Sequence, residues 1–376
     1  MNRLILISSC YKPNTAPTNR LLAFLKGFEE LEVFVDVVFI YPNEEGAKYE
    51  SKENKYITVH YLWEKRHFRN KWVKYICSFI DVSRFAKRLP PMSKVLLIGS
   101  SEYLHFFTSR KDLDVFQERT EHYNVAKMRP AFLQKQYLKD VPKLSGLFVI
   151  TTALKKAFYG LGAKNVIVVN MTVEASRFSG LQKIESKERY IGYCGAASNN
   201  KDGVDDLIKA FAIVHRSYPD IKLYIMGKAP SKEDSAGNIT LAENLGLASS
   251  VVFKGIIPAA EMPQMLVNAT IVALARPDSI QAKYGFPTKL GEYLLSGNPV
   301  VVTQVGDIPL FLENGKTALL SNPRDPQGFA ENLLWALNHE KEAKAIGLAG
   351  LEVALRNFNY KTETEKIVKT IFREHT

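Results

Sequence analysis

The chain has 376 residues, of which 46% are hydrophobic and 24% charged. It is therefore long enough for two globular domains and unlike a disordered or fibrous chain. No apolar run approaches the roughly 20 residues that a membrane-spanning helix needs, which argues against an integral membrane protein. The net charge of +11 predicts a site or surface for an anion such as a nucleotide phosphate or a lipid headgroup.

The N-terminus and the cysteines bear on the location of the protein. The apolar run after Arg3 ends at Ile7, which is too short for the core of a signal peptide. Cys10, Cys77 and Cys194 do not have the paired spacing of a disulfide framework or a zinc site. We therefore expect a cytoplasmic protein.

In the first half, short β-rich runs alternate with segments of helical period. This order is typical of βαβ units and a parallel sheet. Strands are predicted at residues 4–8, 33–40, 57–62, 95–99, 114–117, 147–151 and 166–170. A helix with an apolar face at Leu21, Leu25 and Phe28 is predicted between the first two strands.

Residues 64–88 carry much of the positive charge, with eight Lys or Arg against two acids. The spacing predicts an amphipathic helix whose apolar stripe is Trp72, Tyr75, Ile76, Phe79 and Ile80. Two interpretations remain open. The stripe is the core face of an ordinary helix, or it lies with its basic flanks on an anionic membrane surface. No nucleic-acid-binding motif accompanies the charge.

A second βα series follows a polar stretch. Its strands are predicted at residues 190–194, 223–226, 251–254, 270–275 and 300–303, with a short apolar stretch at 317–320. We therefore predict an α/β fold of two facing Rossmann-like domains with a deep cleft between them. The first domain spans residues 1–172, the linker 173–189 and the second domain 190–356, and a helix at about 357–376 packs back on the first domain.

The most informative stretch is residues 284–300, which read Tyr-Gly-Phe-Pro-Thr-Lys-Leu-Gly-Glu-Tyr-Leu-Leu-Ser-Gly-Asn-Pro-Val. A turn leads into a helix that begins near Pro287, with Thr288 as its cap, and the free N–H groups of such a helix bind anions. Lys289 adds positive charge, and Glu292 can accept hydrogen bonds from two ribose hydroxyls. An ordinary capped helix with a solvated glutamate explains the same pattern.

This stretch resembles the donor-binding motif of glycosyltransferase family 4, the group 1 glycosyl transferases, which have the GT-B fold. The matching positions are Gly285, Phe286, Glu292, Gly297, Pro299 and Val300. The resemblance implies that Glu292 holds the ribose and that the turn at 285–287 faces the donor sugar and phosphates. Tyr284 stands where the family has a first glutamate, which puts the identity of the donor sugar in question.

A second segment, residues 193–211, resembles the family's diphosphate-binding loop. Lys201 matches the family's lysine, whereas Ala196 stands where the family often has an arginine; a surface lysine is the plain alternative for Lys201. Further segments that resemble the family follow along the chain in the same order as in the family. Together the resemblance implies these donor-binding residues: Gly195, Gly227, Lys228, Gly255, Ile257, Arg276, Tyr284, Gly285, Phe286, Pro287, Thr288 and Lys289.

The acceptor is expected on the first domain, where the signals are weaker. The loop after the first strand lacks the glycine pair that the family often has, but Lys12 and Arg20 are candidates to meet an anionic group. The strand predicted at 114–117 leads to Glu118, Glu121 and His122, where the family often has a histidine facing the donor sugar. Ordinary surface cations and a structural histidine are the alternatives.

The resemblance implies a retaining glycosyltransferase that moves a sugar from a nucleotide diphosphate-sugar to a glycan or lipid-linked acceptor. It implies catalytic roles for Lys201, Glu292 and His122, no metal and no cofactor, and a place in bacterial surface polysaccharide synthesis at the inner face of the cytoplasmic membrane. Two other functions fit the same pattern. One is a sugar-nucleotide epimerase, and the other is a sugar-nucleotide-binding subunit without turnover, for which Tyr284 and Ala196 are the reason.

Overall fold

A computed structural model shows a chain that divides into two compact units. The first is formed by Met1–Met171 with Tyr360–Thr376, and the second by Thr172–Asn359. The structure describes residues 2–13, 15–41, 49, 54–63, 68, 70–125, 128, 130–184 and 188–372. No helix within these residues is long and apolar enough to cross a bilayer.

The first unit contains a parallel seven-stranded sheet in the order β3-β2-β1-β4-β5-β6-β7. The strands are β1 Arg3–Ser8, β2 Phe34–Phe39, β3 Ile57–Tyr61, β4 Lys94–Ile98, β5 Asp114–Arg119, β6 Gly146–Val149 and β7 Val166–Val168. The helices between them are α1 Ala16–Glu30, α2 Lys71–Arg88, α3 Leu104–Thr108, α4 Ala131–Asp140 and α5 Thr152–Tyr159. Short 3₁₀ helices lie at Ser101–Tyr103 and Val141–Lys143.

The second unit contains a parallel six-stranded sheet in the order β10-β9-β8-β11-β12-β13. Its strands are β8 Tyr190–Cys194, β9 Lys222–Met226, β10 Val251–Gly255, β11 Ile271–Leu274, β12 Val300–Thr303 and β13 Leu319–Ser321. The helices are α6 Asn199–Asp202, α7 Val204–Ser217, α8 Lys232–Asn244, α9 Met262–Asn268, α10 Ile280–Tyr284, α11 Lys289–Leu295, α12 Ile308–Phe311, α13 Pro326–Asn338 and α14 Glu340–Asn357. The described residues of 173–189 group with this unit and include a 3₁₀ helix, Ala175–Phe178.

The prediction of two parallel α/β sheets is confirmed, and all twelve predicted strands are present with ends within two residues of those observed. The apolar stretch at 317–320 contributes to the thirteenth strand, β13. The sheets form because their central strands are apolar on both faces; β8 and β12, for example, are buried along their whole length. Helices must therefore cover both sides of each sheet.

The last helix, α15 Tyr360–Ile371, returns to the first unit and packs against α1. The two helices approach so closely that a Cβ added at Gly27 would collide with the side chain of Thr364. Ile367 and Ile371 are fully buried in the same apolar cluster as Phe24 of α1. This helix is therefore part of the first unit's core.

Each sheet has one point at which the chain order reverses, between β1 and β4 in the first unit and between β8 and β11 in the second. The loops that follow two such strands diverge, and ligands of open parallel sheets bind in the crevice that this leaves at the carboxyl ends. The predicted site residues of the first unit lie in the loop after β1, in α1, at the end of β5 and just after β5. Those of the second unit lie after β8 and β9, at or after the end of β10, after β11, in α6, and from the end of α10 into α11.

Candidate functional site

Three predicted glycines meet at the carboxyl edge of the second sheet. Gly195 follows β8, Gly227 follows β9 and Gly255 ends β10, and all have positive φ angles of 146°, 134° and 67°. Two backbone hydrogen bonds link these strand ends, from Gly195 N–H to Met226 O (2.8 Å) and from Gly227 N–H to Gly255 O (2.7 Å). A Cβ at Gly227 would collide with the Gly195 carbonyl. The edge is therefore bare backbone, which a ligand can approach closely.

Two further predicted residues flank this edge. Lys228 is exposed, and with Gly227 and Gly255 it lines a cavity of about 220 Å³. Ile257 is half-buried and lies two residues beyond Gly255. The structure thus brings three of the predicted donor-binding residues, Gly227, Lys228 and Gly255, to one cavity.

Below Gly195 lies an ion pair whose carboxylate is buried and whose lysine side chain is 15% exposed. Lys289, the first residue of α11, pairs with the carboxylate of Asp202, and Asp202 also accepts a hydrogen bond from the Tyr193 hydroxyl (2.9 Å). Burial lowers the pKa of Lys289, while the neighbouring Asp202 charge opposes that shift. Lys289, predicted to add charge at an exposed helix end, is instead held beneath the loop after β8.

Two more predicted cations lie near Asp202. Arg276 follows β11 and is 2% exposed; its Nη2 donates to Gln281 O (3.3 Å), and its Nε is buried without a partner. Burial lowers the pKa of Arg276, and the charge of Asp202 raises it. Lys201 is exposed, and its charge further lowers the pKa of Lys289. The three cations outnumber the one carboxylate by two charges, which suits a polyanion at the point where the strand order reverses.

Glu292 lies in α11, one turn beyond Lys289, and its carboxylate pairs with Arg177. Arg177 comes from the 3₁₀ helix Ala175–Phe178 and also donates to Ala259 O (2.6 Å). The two side chains are 29% and 26% exposed. Because both remain in contact with water, the carboxylate can exchange its partner for the hydroxyl groups of a ligand.

The turn at residues 284–288 differs from prediction in two respects. The Phe286 ring is buried and packs against Phe311 and Phe358, with ring centroids 5.5 and 5.6 Å apart, so the side chain belongs to the core and donor contact at Phe286 stays a prediction for its backbone alone. Thr288 stands at the N-cap position of α11 but makes no side-chain capping bond. Its backbone angles are helical (−57°, −31°), whereas a capping side chain needs extended backbone.

The remaining residues of this turn have mixed exposure. Tyr284 ends α10 and is half-buried, with Lys283 Nζ 5.7 Å from its ring centroid. Pro287 is buried, and a Cβ at Gly285 would press on Gln281 O at 2.8 Å. The glycine therefore permits the tight passage from α10 towards α11.

In the first unit the predictions for Arg20 and Glu118 need correction. The two side chains pair with each other, with Arg20 Nε 2.7 Å from Glu118 Oε1, and both are nearly inaccessible. The other two Arg20 nitrogens donate to Asn170 O (2.6 Å) and Val169 O (2.9 Å). Each of the three nitrogens of this guanidinium thus donates inside the fold, and because both side chains are buried, neither is exposed to an acceptor.

The other predicted acceptor residues lie at the same edge of the first sheet or in the loop after β1. His122 is buried, stacks on Tyr123 and accepts a hydrogen bond at Nδ1 from Asn124 N–H (3.1 Å). Burial and the charge of Arg119 lower the pKa of His122, so its ring is neutral at pH 7. Glu121 and Lys12 are exposed.

The predicted amphipathic helix is α2, and its apolar residues divide between two faces. Tyr75 and Phe79 turn inward, where Phe79 packs on Tyr103 with ring centroids 5.0 Å apart. Trp72 is 71% and Ile76 59% exposed. Only one part of the stripe is therefore core.

The exposed residues that remain are Trp72, Val73, Ile76 and Ile80, followed on the same side by Arg84 and Lys87. Lys65, Arg66 and Arg69 lie outside the described residues.

Within the described residues, no group of three His, Cys, Asp or Glu side chains is placed to hold a metal ion. Asp205 and Asp206, in the first turn of α7, pair instead with Lys209 and Arg324. Acidic side chains in a first helical turn are also stabilised by the helix dipole, so both residues have a structural role.

Sequence reasoning missed two important partners. Asp202 directly follows Lys201 in the segment that resembles the diphosphate-binding loop, and this position was a signal that could have identified it. Arg177 is 115 residues from Glu292 along the chain, and no local pattern connects the two.

Comparison with known proteins agrees with this geometry. Over 99% of both chains, the fold matches HepE from Anabaena in a complex with UDP (TM-score 0.73, 17% identity) and the protein TarM (TM-score 0.75, 13% identity). The chain is therefore a GT-B fold protein.

Sequence comparison finds similarity over the second unit. Residues 188–339 match the model of the family described as glycosyl transferases group 1. A GDP-mannose-dependent alpha-(1-6)-phosphatidylinositol monomannoside mannosyltransferase of Mycolicibacterium smegmatis is 28% identical over 49% of this chain and 48% of its own. A D-inositol 3-phosphate glycosyltransferase of Corynebacterium diphtheriae is 27% identical over 44% of this chain and 38% of its own. The chain thus spans less than half the length of these relatives. Residues 188–339 are thus similar to the group 1 glycosyl transferases, and the resemblance noted at residues 284–300 is confirmed.

Proposed function

We propose that this protein is a retaining glycosyltransferase that moves a sugar from a nucleotide diphosphate-sugar to a glycan or lipid-linked acceptor. The observation that carries the proposal is the meeting of a bare glycine edge with an excess of positive charge at the switch point of the second sheet. The family match covers this same unit, and its relatives are named as sugar transferases.

The diphosphate would lie where Lys201, Lys289 and Arg276 surround Asp202. In a transfer reaction the bond between the anomeric carbon and the diphosphate oxygen breaks, and negative charge develops on the departing diphosphate. Fixed cations and backbone N–H groups stabilise that charge without reorganising. We propose that these groups take the role that a divalent metal ion has in other transferases, and that no cofactor is needed.

The ribose would be held by Glu292, whose carboxylate can accept hydrogen bonds from two neighbouring hydroxyls. Those hydroxyls would replace part of the contact with Arg177. Retention requires the acceptor oxygen to attack from the side that the diphosphate leaves, with a diphosphate oxygen accepting the hydroxyl proton. His122, Glu121 and Lys12 remain the candidates for contact with the sugar and the acceptor.

The exposed face of α2 favours an acceptor that is presented at a membrane. Trp72, Ile76 and Ile80 would enter the interface of an anionic bilayer, and Arg84 and Lys87 would meet its headgroups. This fits a peripheral protein at the inner face of the cytoplasmic membrane that assembles a surface polysaccharide.

The direct test measures binding and turnover together. Titration calorimetry with UDP and GDP should show binding to the wild type, and a panel of UDP- and GDP-sugars with lipid-linked acceptors should give a product with retained anomeric configuration. Glu292→Ala should raise the donor KM about tenfold or more, because two hydrogen bonds to ribose are lost. Glu313→Ala, an exposed glutamate of the same unit, is the matched control and should leave the KM unchanged.

The alternatives give different results in the same assays. Nucleotide binding without turnover across all donors would favour a binding subunit, for which Tyr284 and Ala196 are the motivating departures. Conversion of the donor sugar without any acceptor would favour an epimerase. An unchanged donor KM in Glu292→Ala would refute the role of that carboxylate.

A further inference from the structure

The cavity beside β9 and β10 is lined in part by a side-chain amide, that of Asn238, which makes no hydrogen bond within the fold. Its lining includes Gly227, Lys228, Asn238, Ile239, Phe253 and Ile256. Asn238 lies in the middle of α8 and is only 1% exposed. Neither its Oδ1 nor its Nδ2 has a hydrogen-bond partner.

A buried amide with both ends unpaired is costly to the folded protein, because the amide gave up hydrogen bonds to water and received none in return. Among the described residues, no other buried amide lacks partners on both atoms. A leucine at this position would fill similar space without that cost. The helix therefore retains a group that makes sense only when something else occupies the cavity.

The surroundings of Asn238 indicate what that occupant is. Ile239, Phe253 and Ile256 give the cavity apolar side chains, all of them partly exposed, which suit the faces of a flat ring. The carboxamide offers one acceptor and one donor side by side, and asparagine pairs in this way with the edges of nucleobases. A ring with adjacent N–H and C=O groups, as in uracil and guanine, matches both atoms.

We propose that Asn238 is the residue that reads the base of the nucleotide, with Oδ1 accepting from the ring N–H and Nδ2 donating to the adjacent ring carbonyl. This inference rests on the proposed function, since it concerns the base of the same nucleotide diphosphate. It adds a side-chain contact to an edge that otherwise offers backbone groups at Gly227 and Gly255.

The test compares Asn238→Leu with Asn244→Leu, which changes an exposed asparagine at the end of the same helix. Calorimetry with UDP, GDP and inorganic pyrophosphate separates recognition of the base from recognition of the phosphates. Asn238→Leu should weaken UDP and GDP about tenfold to a hundredfold and leave pyrophosphate unchanged. Its Tm should equal or exceed that of the wild type, because an unsatisfied amide has been removed. Asn244→Leu should change no affinity.

A second variant tests the hydrogen-bonding pattern. Asn238→Asp keeps the shape but offers two acceptors, and guanine presents two adjacent donors to such a group, whereas uracil presents one donor between two carbonyls. The ratio of the UDP Kd to the GDP Kd should therefore rise about fivefold or more relative to wild type.

Three outcomes overturn the inference. One is wild-type affinity for UDP and GDP in Asn238→Leu. Another is an equal loss for pyrophosphate together with a lowered Tm, which would make Asn238 structural. The third is an unchanged UDP-to-GDP ratio in Asn238→Asp. If the wild type binds and turns over donors while these results appear, the proposed function stands and only the role of Asn238 falls; if the wild type binds no nucleotide, both fall.

Discussion

Two arginine–glutamate pairs lie near the carboxyl ends of the two sheets, and they differ in one property. In the first unit, Arg20 and Glu118 are 6% and 5% exposed. In the second unit, Arg177 and Glu292 are 29% and 26% exposed. A buried pair cannot exchange its partner without leaving a charge unpaired inside the protein, whereas a half-exposed pair can. The same two residue types therefore serve the fold in one unit and remain open to a ligand in the other.

The largest expected effect concerns the stability of the buried pair. Glu118→Ala should lower the free energy of unfolding by about 3–5 kcal/mol, because the Arg20 charge stays buried without its carboxylate. Glu292→Ala should lower it by about 1 kcal/mol or less. Urea denaturation of both variants measures the difference. Equal losses of unfolding free energy in the two variants would contradict the distinction between a buried pair and a partly exposed one.

The next effect concerns turnover at the second unit. Lys201→Ala should reduce kcat by about a hundredfold, because the developing charge on the diphosphate loses a fixed cation. Lys209→Ala, an exposed lysine that pairs with Asp205, is the matched control and should leave kcat unchanged. A loss below about threefold for Lys201→Ala would make Lys201 an ordinary surface residue.

A smaller effect should appear on the outer surface of the first unit, away from its buried pair. The double variant Trp72→Ser with Ile76→Ser should weaken binding to anionic phosphatidylglycerol vesicles by about tenfold or more, since two exposed apolar side chains no longer enter the interface. Leu310→Ser removes an equally exposed apolar side chain from the second unit and should have no effect. Unaltered vesicle binding in the double variant would exclude this face as the contact.

The smallest effect concerns the pH dependence of stability that His122 causes. Burial and Arg119 lower the pKa of His122, so the unfolded chain binds a proton that the folded chain does not. Stability from this residue is therefore present above the ordinary histidine pKa of about 6.5 and decreases as the pH falls below it. His122→Phe should reduce the loss of stability between about pH 7.5 and 5.5 by about 1 kcal/mol or less. A variant with the same pH dependence as the wild type would contradict the shift.

The sequence predicts those features that depend on neighbouring residues. Each strand is a local apolar run, and the glycines after β8, β9 and β10 follow such runs directly, so the strands and the glycine edge were both predictable. Amphipathic spacing likewise predicted α2 as a helix. It did not show which part of the apolar stripe packs, because Phe79 meets Tyr103, a residue of another element.

The features that escaped prediction depend on residues far apart in the chain. Glu118 lies 98 residues from Arg20, and Glu292 lies 115 residues from Arg177. Phe286 matched a functional motif, but its ring packs against Phe358, which no pattern near residue 286 reveals. Only folding brings such pairs together, so a motif identifies a backbone position more reliably than the direction of a side chain.

The placement of α15 has a consequence for synthesis. During translation β1–β7 are synthesised first, followed by the whole of Thr172–Asn359. The helix that covers α1 at Gly27 is synthesised only after these. Until Ile367 and Ile371 arrive, the apolar cluster around Phe24 stays open on one side. The core of the first unit therefore stays incomplete until the second unit has been translated. A premature stop just before Tyr360 would leave the second unit whole and the first unit without the helix that completes its core.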